Sequence, residues 1–77
     1  MVERIVGHIN SFPNVYTKKI TIKAGGSISI QLSRGDLTHV IRFSDFDLMH
    51  SRSAIPFLQR INDMRSTLDK EYEMECE

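Results

Sequence analysis

The side chains of this chain best suited to bind a metal are three histidines and one cysteine: His8, His39, His50 and Cys76. A protein metal site needs three or four converging ligands, which are often close pairs in the sequence. Here no two of these residues lie within ten positions of each other. The sequence therefore predicts no metal site and no other bound cofactor.

Nucleophilic catalysis would need a serine or cysteine beside a base that a third group orients. Most of the serines fall in an alternating strand pattern, in turns or at the start of a helix, and none lies in a nucleophile-elbow motif. Asp45 and Asp47 alternate with phenylalanine, a pattern more typical of a turn with apolar contacts than of an acid–base pair. We therefore expect a protein without enzymatic activity.

The charged residues are unevenly distributed, although the formal net charge is zero. Residues 1–33 carry four basic residues and one acidic residue, whereas residues 61–77 carry two basic residues and six acidic ones. The simplest interpretation is an ordinary charged surface with a solvated acidic tail. The alternative is a basic half that binds an acidic partner.

Three segments have the alternation of a half-buried β-strand: residues 16–23, 27–33 and 37–43. In the first hairpin, a loop of Ala24-Gly25-Gly26 sets Ile22 opposite Ile28 and Ile20 opposite Ile30, so that apolar residues share one face. In the second hairpin, a tight turn at Arg34-Gly35 is expected to set Leu32 opposite Leu37, Ile30 opposite His39 and Ile28 opposite Ile41. Val2 to Ile9 is expected to form a fourth strand, with apolar residues at both odd and even positions and therefore on both of its faces.

A C-terminal helix is expected from Ala54 to Tyr72, with Ser53 or Ser51 as its cap. Its apolar stripe spans about 120°, the width typical of a helix that packs on a core. Arg65 falls inside this stripe, so either its stem extends over apolar surface with its head in water or paired to Asp69, or it anchors an interface.

The predicted fold is therefore α+β: a small antiparallel meander of three to four strands packed against one amphipathic helix. Residues 1–72 form the single domain, and residues 73–77 form an acidic frayed tail. The predicted core consists of residues from the strands and the helix: Ile20, Ile22, Ile28, Ile30, Leu32, Ile41, Phe43, Phe57, Ile61, Met64 and Leu68.

The sequence indicates a cytoplasmic protein without a membrane partner. No apolar run approaches the roughly 20 residues that span a bilayer, and the first nine residues lack the apolar centre of a secretory signal. The single cysteine excludes an internal disulfide and suits a reducing compartment.

The favoured function is a small non-enzymatic regulatory or inhibitor-like domain that binds a partner protein and forms a homodimer. Unpaired outer strands offer backbone groups to such a partner. Two alternatives stay open: a nucleic-acid-binding module on the basic polar face of the sheet, which lacks the aromatic residues that stack bases, and a small-ligand-binding domain. The candidate binding residues are Lys19, Lys23, Arg42, His50, Arg52 and Arg65.

Overall fold

The computed structural model describes residues 1–75 and confirms the α+β class. A three-stranded antiparallel sheet in the order β1-β2-β3 is covered on one face by helices. The elements in chain order are α1 (Val2–Asn10), β1 (Thr17–Ile22), β2 (Ile28–Arg34), β3 (Leu37–Phe43), α2 (Asp45–His50) and α3 (Ile55–Glu75).

The first hairpin has the predicted register. Ile20 lies opposite Ile30 and Ile22 opposite Ile28. The amide of Lys23 donates to the carbonyl of Ser27 at 2.9 Å, which closes the predicted three-residue loop. Both glycines of that loop have positive φ angles, where glycine has no Cβ penalty.

The second hairpin is shifted by two residues from the predicted register, which was wrong. Arg34 pairs with Leu37, so that Ile30 lies opposite Ile41 and Ile28 opposite Phe43. The turn is the two-residue loop Gly35-Asp36, and Gly35 has a φ of +61°. Because side chains alternate with a period of two, a shift of two residues leaves every side chain on the same face. Alternation alone therefore could not distinguish the two registers.

Residues 2–10 form a helix, so the predicted fourth strand was wrong. Val2, Ile5, Val6 and Ile9 are spaced three and four residues apart, which places them on one side of a helix. Ile5 and Ile9 are fully buried, and the two valines are partly buried against the core. Helix α1 packs against β1 and α3, so its valines and isoleucines are covered without a fourth strand.

Helix α3 packs on β2 and β3 with the predicted apolar stripe, in which Phe57, Ile61 and Leu68 are buried. At its start, the Ser53 hydroxyl accepts a hydrogen bond from the amide of Ile55 at 3.1 Å, the capping contact expected for this serine. The helix continues to Glu75, three residues beyond the predicted end. The remainder of the predicted acidic tail, residues 76–77, lies outside the described residues.

The core is formed by α1, β2, β3 and α3 together with two aromatic residues of the α1–β1 connection, Phe12 and Tyr16. The predicted core residue Ile22 is instead 57% exposed. It is the last residue of the edge strand β1. Ile20, Ile41 and Met64 are only partly buried.

Candidate functional site

The outer edge of β3 carries backbone groups that no strand of the described residues pairs with. Arg34 and Leu37 flank the two-residue turn, so they form a hydrogen-bonded pair, and such pairs alternate along an antiparallel ladder. Thr38, Val40 and Arg42 therefore direct their amides and carbonyls away from β2. All three are exposed. The sheet consequently ends in a strand that can accept another strand.

A groove of about 370 Å³ runs beside this edge, between β3 and α3. Its floor includes Ile41 and Met64, which are partly buried, and Val40 at the edge is 50% exposed. The α3 side contributes one cation, Arg60, and one carboxylate, Asp63. The groove thus combines apolar surface, opposite charges and free backbone groups in one place.

A second cleft of about 380 Å³ lies at the end of β3, where the chain enters α2. Three cationic residues line this cleft: Lys23 from the base of the first hairpin, Arg42 from β3 and Arg60 from α3. The remaining lining residues are Ser27, Ile28, Ser29, Phe43, Ser44 and Asp47. Arg60 lies over the Phe43 ring, 5.0 Å from its centroid, and so borders both this cleft and the β3 groove.

The structure brings together two of the candidate binding residues, Lys23 and Arg42, in the cleft. Lys19 lies on the same open face of the sheet, opposite Gln31, and outside the cleft. Arg60 was not among the candidates. The available sequence signal was its position three residues after Phe57, at the border of the apolar stripe of α3.

His50 and Arg52 lie apart from the cleft. His50 ends the short helix α2, and its ring packs on Phe46 with centroids 4.3 Å apart. Arg52 is exposed in the bend between α2 and α3. Phe46 and Met49 are 66% and 75% exposed, so α2 presents apolar surface to solvent.

Arg65 lies in a cluster that joins the α1–β1 connection to α3. Its guanidinium packs over the rings of Phe12 and Tyr16, and its Nε donates to Tyr16 Oη at 3.1 Å. Tyr16 in turn donates to the carboxylate of Asp69, which also accepts a 2.8 Å bond from Arg34. Arg65 and Asp69 are one turn apart, 3.9 Å between Nε and Oδ2. These contacts match the structural interpretation of Arg65, in which it pairs with Asp69 over apolar surface.

This cluster controls the ionisation of Asp69. Partial burial raises the pKa of its carboxyl group, but the hydrogen bonds from Tyr16 and Arg34 and the charges of Arg34 and Arg65 outweigh that effect. The pKa of Asp69 is therefore lowered below its ordinary value, because these partners stabilise the carboxylate.

The three histidines have separate neighbours rather than a common site. His8 Nε2 lies 2.7 Å from Asn62 Oδ1, and His39 Nε2 lies 3.0 Å from Glu71 Oε2. Among residues 1–75, no group of three His, Cys, Asp or Glu side chains is placed to hold a metal ion.

The open face of the sheet is polar along β1 and β2, whereas in β3 the half-exposed Val40 lies between the polar residues Thr38 and Arg42. Its members in β1 to β3 are Thr17, Lys19, Thr21, Ser29, Gln31, Ser33, Thr38, Val40 and Arg42. None of them is aromatic, so this face has no platform for stacking bases.

Comparisons with protein-family models, with curated proteins and with solved structures give no match to this chain. No helix within residues 1–75 is long and apolar enough to cross a membrane.

Proposed function

We propose that this chain is a small non-enzymatic domain of regulatory type that acts by protein binding, and that its partner at β3 is a second copy of itself. The observation that carries the proposal is the unpaired outer edge of β3 beside an open groove. Strand addition to such an edge supplies backbone hydrogen bonds, and the adjacent groove takes side chains.

The two edge strands, β1 and β3, differ in the charged side chains that oppose pairing with another strand. Edge strands are commonly protected by charged side chains, lysine above all. β1 carries two lysines, Lys18 and Lys19, whereas β3 contains no lysine and a single arginine, Arg42. This difference favours β3 as the pairing edge.

A symmetric antiparallel pairing of two β3 strands is compatible with their side chains. With the two-fold axis at Val40, each Val40 faces its counterpart and each Thr38 faces the other copy's Arg42, so no like charges lie opposite each other. Each groove also offers both Arg60 and Asp63, so two copies present complementary charges. The product is a continuous six-stranded sheet.

The test is the subunit count of Val40→Lys. In the dimer this substitution would place two ammonium groups directly opposite each other, so we expect a loss of self-association of about tenfold or more. Thr21→Lys is the matched control, because it introduces the same charge on the same open face of the opposite edge strand.

Native mass spectrometry and light scattering over a range of concentrations measure both variants. Wild type and Thr21→Lys should be dimers where Val40→Lys is a monomer. A wild-type protein that is monomeric throughout, or equal effects of the two variants, would show that β3 is not the interface.

A further inference from the structure

We propose that the cleft formed by Lys23, Arg42 and Arg60 binds the phosphate group of a small phosphomonoester. All lining residues come from one copy of the chain, so the inference goes beyond the proposed self-association and does not depend on it.

The positive charge of this cleft is not neutralised by the surrounding side chains. The ion pairs within residues 1–75 involve Arg34, Arg65 and His39. No carboxylate of these 75 residues lies within 4.0 Å of the charged nitrogens of the three cleft cations. One carboxylate, Asp47, lines the cleft against three cations. The lining is therefore positive, although the whole chain has a formal net charge of zero.

Each of the three cations is positioned by contacts of its own element at the cleft. Lys23 is fixed at the base of the first hairpin by its backbone hydrogen bond to Ser27, and Arg42 lies beside Ser29 across the β2–β3 ladder. Arg60 is oriented by the Phe43 ring beneath it. The three cations therefore line one cleft before an anion enters it, which lowers the entropic cost of binding.

Three hydroxyl groups complete the donor set, from Ser27, Ser29 and Ser44. The Ser44 oxygen accepts the amide of Asp47 at 3.1 Å, so its own hydrogen remains available for donation. No side-chain hydrogen bond occupies Ser27 or Ser29 within the described residues. Cations together with hydroxyls are the typical partners of phosphate oxygens.

The geometry favours a phosphomonoester over a nucleic-acid strand. A monoester carries up to two negative charges and three terminal oxygens, which match three cations and three hydroxyls. A strand would also require stacking surface and several further phosphate contacts, and the open face offers no aromatic residue. The cleft volume of about 380 Å³ fits a small ligand rather than a polymer.

The test is a titration of the full chain with inorganic phosphate, O-phospho-L-serine and an oligothymidylate, followed by amide chemical shifts at constant ionic strength. We expect saturable shifts of the cleft residues with both phosphate compounds. Tighter binding of phosphoserine than of inorganic phosphate would support a phosphomonoester as the ligand, and equal or weaker binding of phosphoserine would overturn that assignment in favour of the free anion. Absence of saturable shifts, or tighter binding of the oligothymidylate, would overturn the proposal.

Arg42→Gln should weaken phosphate binding about tenfold, because it removes a charge-assisted hydrogen bond. Lys19→Gln removes one positive charge from the same face outside the cleft, and its effect should stay within about twofold. Equal effects of the two variants would indicate unspecific screening and contradict a built site. Lys23→Gln provides a second cleft variant, and light scattering on each sample separates lost phosphate binding from changed self-association.

Discussion

The phenol oxygen of Tyr16 lies 2.6 and 2.7 Å from the two carboxylate oxygens of Asp69, a residue 53 positions later in the chain. This contact links the connection that follows α1 to the last third of α3. Tyr16 is 5% exposed, so its hydroxyl group reaches Asp69 from within the core. The same carboxylate accepts Arg34 from the end of β2, so three elements meet at one side chain.

Tyr16→Phe should lower the free energy of unfolding by about 1–2 kcal/mol, because it removes a hydrogen bond to a charged group while it keeps the buried ring. Urea denaturation measures the change. Tyr72→Phe is the matched control, since the Tyr72 hydroxyl makes no hydrogen bond within residues 1–75 and its ring still packs on Arg34. Equal stabilities of Tyr16→Phe and Tyr72→Phe would contradict the role given to the Tyr16–Asp69 contact.

The acid stability of the protein should depend on Asp69. Its pKa is lower in the folded chain than in the unfolded chain, so its contribution is complete above the ordinary carboxyl value of about 4 and is lost as the pH falls through the folded-state pKa. Asp69→Asn should therefore lose more stability at pH 7 than at pH 2.5. Thermal unfolding across this range measures the difference. Asp63→Asn is the comparison on the same helix, and a pH dependence unchanged by Asp69→Asn would refute the assignment.

Gly35→Ala should destabilise the protein by about 2–3 kcal/mol, through backbone strain and a steric clash together. Gly35 has a φ of +61°, and a Cβ atom there would lie 2.9 Å from Cε2 of Tyr72, whose ring is packed by Arg34. The control for strain alone is Gly35→Ala in a Tyr72→Ala background, compared with Tyr72→Ala itself, because the ring that the added Cβ would meet is then absent. Chemical denaturation should show that Gly35→Ala costs less stability in this background than in the wild type. An equal cost in both backgrounds would contradict the close approach of Tyr72 to Gly35.

Gly7→Ala tests whether residues 2–10 are helical. Gly7 lies inside α1 and an added Cβ meets nothing within 4 Å, so alanine should stabilise the protein by about 0.5–1 kcal/mol. Gly7→Val distinguishes helix from strand, since valine is a poorer helix former than alanine and a better strand former. Thermal unfolding should rank alanine above valine, and the reverse order would favour the strand.

Ile61→Ala should cost about 2–5 kcal/mol, the usual range for truncating a buried aliphatic side chain. Ile61 is fully buried between α3 and the sheet. Ile55→Ala, on the same helix but at a side chain that is 53% exposed, should change stability by less than about 0.5 kcal/mol. Similar losses for both variants would mean that α3 packs through a different face.

Local patterns in the sequence were sufficient for the α+β class, the first hairpin and the packing face of α3. Each of these depends on contacts between near neighbours: the alternation of Ile28 and Ile30, the glycines of the hairpin loop, and the spacing of Phe57, Ile61 and Leu68. The polar open face follows from the same alternation. The surroundings of Arg65 were predicted only in part. Its pairing with Asp69 could be predicted because the two residues are one helical turn apart, whereas its contacts with Tyr16 and Phe12 join distant parts of the chain.

Tertiary structure decided what local patterns leave ambiguous. In residues 2–10 the valines and isoleucines favour a strand by propensity, but their spacing allows a helix that buries Ile5 and Ile9 against β1 and α3, and this packing outweighs propensity. In the second hairpin, a two-residue shift preserves every face, so the turn at Gly35 selected the register. The cleft of Lys23, Arg42 and Arg60 also required tertiary structure, because its cations come from three elements whose meeting point no sequence spacing specifies.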